Sequence, residues 1–287
     1  MEEFARLLKY ILLGLVQGLG EILPISSSGH LVITYRLLNM TPDLSFEIFL
    51  HFASLIAIIV YFRKKLIALI KDFFLFIFKR VKVDEDSDEE TRGRAAEQRI
   101  NFFMCLYLVL ATIPAAVAGL LLSDIIEQYL STLLFVGIFL IVTAVMLSVS
   151  YLFKGEKEIK EMKWYHALTF GAFQCLGIMP GISRSGSCIV GGKVAGFKQS
   201  DAAEFAFLMA IPIMLGSAIV KIPDIATSLS ADHSLLSPYL VSFVITMVVT
   251  YFCLMFFLKV IRKRKLYFFS AYCLLVGVAS IVLHFVY

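Results

Sequence analysis

The stretch QGLGEILPISSSG (residues 17–29) interrupts an apolar segment with proline, serine and glycine, and QCLGIMPGISRSG (residues 174–186) does the same later in the chain. The two stretches align without gaps: Gln, Leu, Gly, Ile, Ser, Ser and Gly coincide, and Pro24 and Pro180 are one residue out of register. Proline lacks the N–H of a helical residue and clashes with the preceding turn. Each stretch therefore predicts a helix that breaks and restarts.

The rest of the chain has the composition of a membrane protein. Hydrophobic residues make up 60% of its 287 residues, against about 45–50% in soluble domains. The apolar runs are continuous, which favours all-α membrane-spanning structure over a β-barrel. Six crossings are predicted: 46–62, 101–122, 132–153, 203–220, 238–258 and 267–287.

The placement of the charges predicts the orientation. Lys and Arg cluster at 63–82, 154–163 and 259–265, which are therefore expected to be cytoplasmic. Residues 123–131 and 222–237 contain no Lys or Arg and are expected outside, together with both termini. Residues 82–99 are predicted to be a charged, solvated cytoplasmic loop, and 66–78 to be an interfacial helix or an extension of the first crossing. No basic face stands apart from the membrane segments, so nucleic-acid binding is not expected.

Two broken apolar segments, 4–38 and 164–197, remain. By the loop charges, the first must enter and leave from outside and the second from the cytoplasm, as two re-entrant helix–loop–helix hairpins would. Each hairpin is followed by three crossings, so we predict a single membrane domain of two inverted repeats, about 1–153 and 154–287. Inverted repeats with discontinuous helices place a binding site near the bilayer midplane.

The residues at the breaks predict an anion site. Serine is a favoured N-cap, and the first N–H groups of a helix lack internal partners and carry the positive end of its dipole. The second break adds Arg184, whose planar fork suits phosphate and which is costly inside a membrane without an anionic partner. The expected substrate-binding residues are Ser26, Ser28, Gly29, Ser183, Ser185 and Gly186.

Glu21 and His30 flank the first break. Beside an anion site, such a carboxylate and imidazole suit a metal ligand, a general base or a nucleophile, and a buried structural pair is the alternative. His51 shares a helix face with Glu47, which predicts either a contact to the site or a satisfied buried pair.

At these residues the chain resembles a known family. QGLGEILPISSSGH and PGISRSGSCIVGG resemble the two signatures of the bacterial undecaprenyl-diphosphate phosphatases of the bacitracin-resistance BacA type, and hydropathy and spacing agree over nearly the whole chain. Many members have Glu where this chain has Gln17, and Thr where it has Cys188.

The resemblance implies hydrolysis of undecaprenyl diphosphate to the monophosphate, which recycles the lipid carrier of peptidoglycan synthesis and confers bacitracin resistance. It implies a plasma-membrane enzyme that opens to the outer face and depends on a divalent cation, Mg²⁺ or Ca²⁺. Its expected partners are the polyprenyl lipid, membrane lipid and, left open, a second copy of the chain. Matching positions assign roles to Glu21, Ser27, His30, Ser183, Arg184 and Ser185.

Together these observations predict a membrane diphosphatase in which Glu21, Ser27, His30 and Arg184 are catalytic. Glu21, with Gln17, is expected to hold the cation. Three nucleophiles remain open: Ser27 activated by His30, His30 itself, or a metal-bound water. The alternative function is a polyprenyl-phosphate flippase or a secondary transporter, because inverted repeats with broken helices are also transporter architecture.

Overall fold

The computed structural model describes residues 2–78, 88–261 and 266–286, and within these residues the chain forms helices and no β-strand. The ten α-helices are α1 (Glu2–Gly20), α2 (Ser27–Leu37), α3 (Leu44–Phe78), α4 (Glu89–Ile125), α5 (Leu133–Val149), α6 (Trp164–Leu176), α7 (Arg184–Val194), α8 (Gln199–Ala231), α9 (Leu236–Ile261) and α10 (Tyr267–Val286).

Six helices are long and apolar enough to cross a membrane, one for each predicted crossing, so the chain is a multi-pass membrane protein of the all-α class. The remaining four form the two broken pairs, α1–α2 and α6–α7.

Two segments near the charged region test the predictions made for them: one decides between two alternatives, and the other contradicts a predicted loop. Residues 66–78 continue the first crossing as part of the single 35-residue helix α3. The expected loop at 82–99 is wrong for its second half, because α4 begins at Glu89. Its acidic first turn, Glu89 and Glu90, complements the positive end of the helix dipole. Residues 79–87, and 262–265 of the third basic cluster, lie outside the described residues.

One end of the bundle gathers described residues that adjoin the basic clusters. Lys65 near the middle of α3 forms an ion pair with Glu204 in α8. Gln199 at the start of α8 donates a hydrogen bond to the carbonyl of Ile261 at the end of α9, at 3.0 Å. These contacts place the beginning of α8 and the end of α9 on the same side of the bundle.

Ion pairs hold the loop before α6 at the end of the bundle where α8 begins. The ammonium groups of Lys160 and Lys198 lie 2.7 and 2.8 Å from the two carboxylate oxygens of Glu158. Hydrogen bonds from Lys160 and then Lys198 lower the pKa of the Glu158 carboxyl to about 2. The carboxylate is therefore ionised at neutral pH and links the loop to the start of α8.

The opposite end holds both termini. Arg6 in α1 lies 3.9 Å from Asp232, in the segment that precedes α9. The hydroxyl of Ser280 in α10 donates to the carbonyl of Leu133 at the start of α5, at 2.8 Å. The termini thus lie at the same end as the two loops without Lys or Arg, as expected. Which end faces outside stays a prediction from the loop charges.

The two broken pairs open toward opposite ends of the bundle. Lys9 in α1 donates to the carbonyl of Leu38, just after α2, at 2.8 Å. Lys157 at the basic end donates to the carbonyl of Ala195, just after α7, at 2.9 Å. Each pair therefore starts and finishes at one end. Their re-entry into a bilayer and the inverted repeat stay predictions.

The two breaks touch each other inside the bundle. A Cβ atom on Gly29 would lie 2.9 Å from the Cα of Gly181, and one on Gly186 would lie 3.2 Å from the Cβ of Pro24. At Gly29 a side chain would require a shift of the backbone, and at Gly186 a Cβ would be a tight fit. The aligned stretches of sequence therefore build one common structure.

Candidate active site

The two breaks have the same local construction. The Ser26 hydroxyl accepts a hydrogen bond from the N–H of Gly29 at 3.3 Å, and the Ser183 hydroxyl accepts one from Gly186 at 3.1 Å. Both serines are N-caps, so α2 begins at Ser27 and α7 at Arg184. Aligned positions of the two stretches therefore place a hydroxyl and a guanidinium on the first residues of two facing helices.

Ser26 also joins the two breaks. Its hydroxyl accepts a second hydrogen bond, from the N–H of Gly181 at 3.0 Å. The backbone of Ser26 has φ of +70°, a conformation that costs a non-glycine residue about 1–3 kcal/mol. Thr143 of α5 holds the second break from the other side, accepting from the N–H of Ser183 at 3.1 Å and donating to the carbonyl of Gly181 at 2.9 Å.

Glu21 is the centre of the site, and its side chain is 2% exposed. Its Oε1 accepts a hydrogen bond from Nη2 of Arg184, with which it forms an ion pair. Its Oε2 accepts hydrogen bonds from the Gln17 amide at 2.8 Å and from the Ser27 hydroxyl at 3.1 Å. The first break thus supplies the anionic partner that a largely buried arginine requires.

Arg184 uses only one of its two terminal guanidinium nitrogens in the contacts that the structure describes. Nη2 contacts Glu21 and lies 3.5 Å from the sulfur of Met214. Nη1 is buried and has no hydrogen-bond partner in the described part of the chain. A buried, unpaired donor on a charged group is costly. This nitrogen is therefore available to an anion that enters the site.

His51 of α3 completes the surroundings of Glu21. Its Nδ1 lies 3.0 Å from Glu21 Oε2 and 3.0 Å from the amide nitrogen of Gln17, so it can donate to the first or accept from the second. Of the two interpretations of His51, the structure supports the contact to the site. The helical spacing from Glu47 gave no signal for this partner, because Glu21 lies in the first break, just after α1.

His30 has partners other than Ser27. Its Nδ1 lies 2.8 Å from the carbonyl oxygen of Ser26, and its Nε2 lies 2.9 Å from the hydroxyl of Tyr272 in α10. Both ring nitrogens are thus engaged, and neither contacts Ser27. Sequence reasoning missed Tyr272, which lies in an apolar run and resembles a lipid-facing anchor.

The remaining predicted residues line the junction of the breaks. Ser28 Oγ lies 3.4 Å from Ser26 Oγ, and Ser185 Oγ lies 3.3 Å from Ser183 Oγ. The N–H groups of Gly29 and Gly186 are used by the serine caps, so an anion would instead meet the N–H groups of the residues before them.

As arranged, Gln17 and Glu21 do not fit a divalent cation. Glu21 uses both oxygens for N–H and O–H donors, and Gln17 turns its amide N–H toward Glu21. The buried Oε1 of Gln17 lacks a partner, but one amide oxygen is a poor ligand set for a cation that needs six or more oxygens. The described residues contain no cluster of three His, Cys, Asp or Glu side chains suited to a metal. The cation therefore stays a prediction from the family resemblance.

Known proteins are similar to this chain over nearly its whole length. The chain is 41% identical over 283 residues to undecaprenyl-diphosphatase 2 of Bacillus thuringiensis (strain Al Hakam), covering 98% of this chain and 99% of the relative. It is 37% identical over 275 residues to undecaprenyl-diphosphatase 1 of Shouchella clausii, covering 95% and 94%. It is 39% identical over 278 residues to undecaprenyl-diphosphatase of Methanosphaera stadtmanae, covering 96% and 98%. The family model described as bacitracin resistance protein BacA matches residues 10–279, and the chain therefore belongs to the BacA family.

Proposed function

We propose that this protein hydrolyses undecaprenyl diphosphate to undecaprenyl phosphate and inorganic phosphate. The names of its relatives support this reaction, and so does the chemistry of the site. The product is the lipid carrier of peptidoglycan synthesis, so the protein would return this carrier to use and counteract bacitracin.

The unpaired Nη1 of Arg184 is the observation that carries the proposal. The other terminal nitrogen of the same side chain, Nη2, contacts Glu21. Glu21 in turn accepts a hydrogen bond from the Ser27 hydroxyl. A phosphate oxygen bound to Nη1 would therefore be brought beside a hydroxyl that already has a proton acceptor. Charge stabilisation and positioning of this kind account for most of the catalysis in phosphoryl transfer.

In the first step, the Ser27 oxygen attacks the terminal phosphorus and passes its proton to Glu21. The bond from that phosphorus to the bridging oxygen breaks, and undecaprenyl phosphate leaves with the electron pair. The contact from Ser27 to Glu21 at 3.1 Å favours this version over activation by His30, which does not contact Ser27.

In the second step, water attacks the phosphoserine and the phosphorus–Ser27 bond breaks. Glu21 returns its proton to the Ser27 oxygen, and His30 takes the proton of the water. Inorganic phosphate leaves, and His30 then gives its proton to solvent. The residues are thereby restored for another turnover.

The transporter alternative lacks support from the relatives, which are named as diphosphatases. It also leaves the contact between Ser27 and Glu21 without a role, since a carrier needs charge complementarity but no proton acceptor for a hydroxyl. Opening of the site to the outer face, a homodimer and the inverted repeat remain proposals beside the reaction.

Phosphate release from undecaprenyl diphosphate in detergent tests the proposed function. We expect the intact protein to release one inorganic phosphate per lipid and to leave undecaprenyl phosphate, which it does not cleave further. Undecaprenyl phosphate as the only substrate is the control. Absence of release from folded protein across several divalent cations would overturn the phosphatase and favour the transporter.

The Gln17→Glu variant tests the cation. It removes the amide donor to Glu21 and adds a second carboxylate beside it, so we expect Mn²⁺ affinity without substrate to rise by about 10-fold or more, because a cation would relieve the repulsion. The loss of free Mn²⁺ signal in electron paramagnetic resonance measures binding. Gln174→Glu is the matched control, since the aligned neighbour of Gln174 is Ile178 in place of a carboxylate. Tight Mn²⁺ binding by the intact protein would contradict this expectation.

A further inference from the structure

The imidazole of His30 is held at both nitrogens, which fixes where its proton lies. A carbonyl oxygen only accepts hydrogen bonds, so the contact of 2.8 Å to the Ser26 carbonyl requires the proton of the neutral ring on Nδ1. The lone pair is then on Nε2, and the Tyr272 hydroxyl, 2.9 Å away, donates to it.

The two rings also stack. Their centroids are 5.5 Å apart and their planes differ by 8°. The stacking contact and the hydrogen bond therefore both restrict the orientation of the His30 ring. The next residue, Cys273, is buried and lies 3.6 Å from the carbonyl oxygen of Pro24. Two successive residues of α10 therefore contact the first break and the histidine that flanks it, although α10 contributes nothing to the contacts of Glu21 and Arg184 described above.

A tyrosine hydroxyl suits a nitrogen that changes its protonation state. It donates to the neutral imidazole and can rotate to accept from the imidazolium, whereas a carbonyl could serve only the charged form. His30 can thus gain and lose a proton on Nε2 without losing its partner or its orientation.

We propose that Tyr272 is a positioning residue for the hydrolytic reaction: its ring and hydroxyl hold His30 in one tautomer and orientation, and the hydroxyl turns from donor to acceptor when Nε2 takes the proton of the attacking water. This inference rests on the proposed function. It assigns to α10, a helix outside both motifs, a role in the chemistry.

The Tyr272→Phe variant tests this role because it keeps the stacked ring and removes only the hydroxyl. We expect kcat to fall about 10-fold with KM within about twofold, a part of the 10²- to 10⁴-fold that a general base contributes. In the His30→Ala background, the same change should have no further effect, since Tyr272 acts through His30. Tyr267→Phe on the same helix is the matched control and should leave kcat unchanged.

A measurement independent of activity follows the hydrogen bond itself. Diethyl pyrocarbonate attacks the lone pair of an imidazole nitrogen, so His30 should be modified several-fold faster in Tyr272→Phe than in the intact protein, as read by peptide mass spectrometry. An unchanged kcat, or an equal further loss in the His30→Ala background, would overturn the positioning role. An unchanged modification rate would overturn the hydrogen bond. Failure of the proposed function would instead appear as no phosphate release by the intact protein.

Discussion

Replacing Arg184 by alanine is expected to lower kcat/KM for undecaprenyl diphosphate by about 10³-fold or more. The change removes the buried, unpaired Nη1 that would bind a phosphate oxygen, and it removes the ion-pair partner of Glu21. Losing one preorganised donor at a developing charge costs about 10²–10³-fold, and an arginine at a phosphoryl group is worth about 10³–10⁵-fold. Phosphate release at a series of lipid concentrations measures the effect.

Arg184→Lys separates this effect from a loss of folding. Lysine keeps a positive charge for Glu21 but has no second nitrogen to offer the substrate, so we expect it to remain folded and still to lose about 10²-fold. Arg6→Ala, which breaks a distant surface pair with Asp232 at 3.9 Å, is the control and should retain full activity. A folded Arg184→Lys protein with nearly normal kcat/KM would show that the fork plays no part in the reaction.

Ser27→Ala should abolish turnover, with a loss of about 10³-fold or more, because it removes the proposed nucleophile. With lipid labelled on its terminal phosphate, rapid acid quenching of the intact protein should trap a labelled protein that is stable in acid, as phosphoserine is. The variant should give no trapped label.

Ser28→Ala is the matched control for this prediction. Its hydroxyl lies in the same turn, 3.4 Å from that of Ser26, but does not contact Glu21 in the structure. We expect it to keep the trapped intermediate. Label that is lost in acid would indicate phosphohistidine and would identify His30 as the nucleophile. Turnover by Ser27→Ala at a normal rate, with no label trapped in either form, would identify water as the nucleophile.

The membrane-spanning helices could be predicted because their signals are local. A run of apolar residues long enough to cross a bilayer must close its backbone hydrogen bonds within itself, so hydropathy alone located all six. The starts of α2 and α7 could be predicted equally well, since serine is a favoured N-cap where a broken helix begins again. Residues 82–99 were misjudged because charge density says how a segment is solvated and leaves its helicity undetermined.

The chemistry of the site could be predicted only as a set of residue types. Two aligned breaks with serine, glycine and arginine indicated an anion site, and they lie in contact in the folded chain. The sequence did not pair Glu21 with Arg184, because 163 positions separate them and only the packing of the two breaks brings them together. It likewise allowed three nucleophiles, and the contact between Ser27 and Glu21 favours one.

The amino-acid sequence by itself thus determined the membrane class, the six crossings, the two breaks and the residues at their helix starts, since each depends on near neighbours in the chain. The tertiary structure decided the partners. It placed His51 beside Glu21, turned His30 toward Tyr272 and left Nη1 of Arg184 unpaired. These contacts join α3, α10 and α7 to the first break, and no local propensity encodes which side chains meet when separate helices pack together.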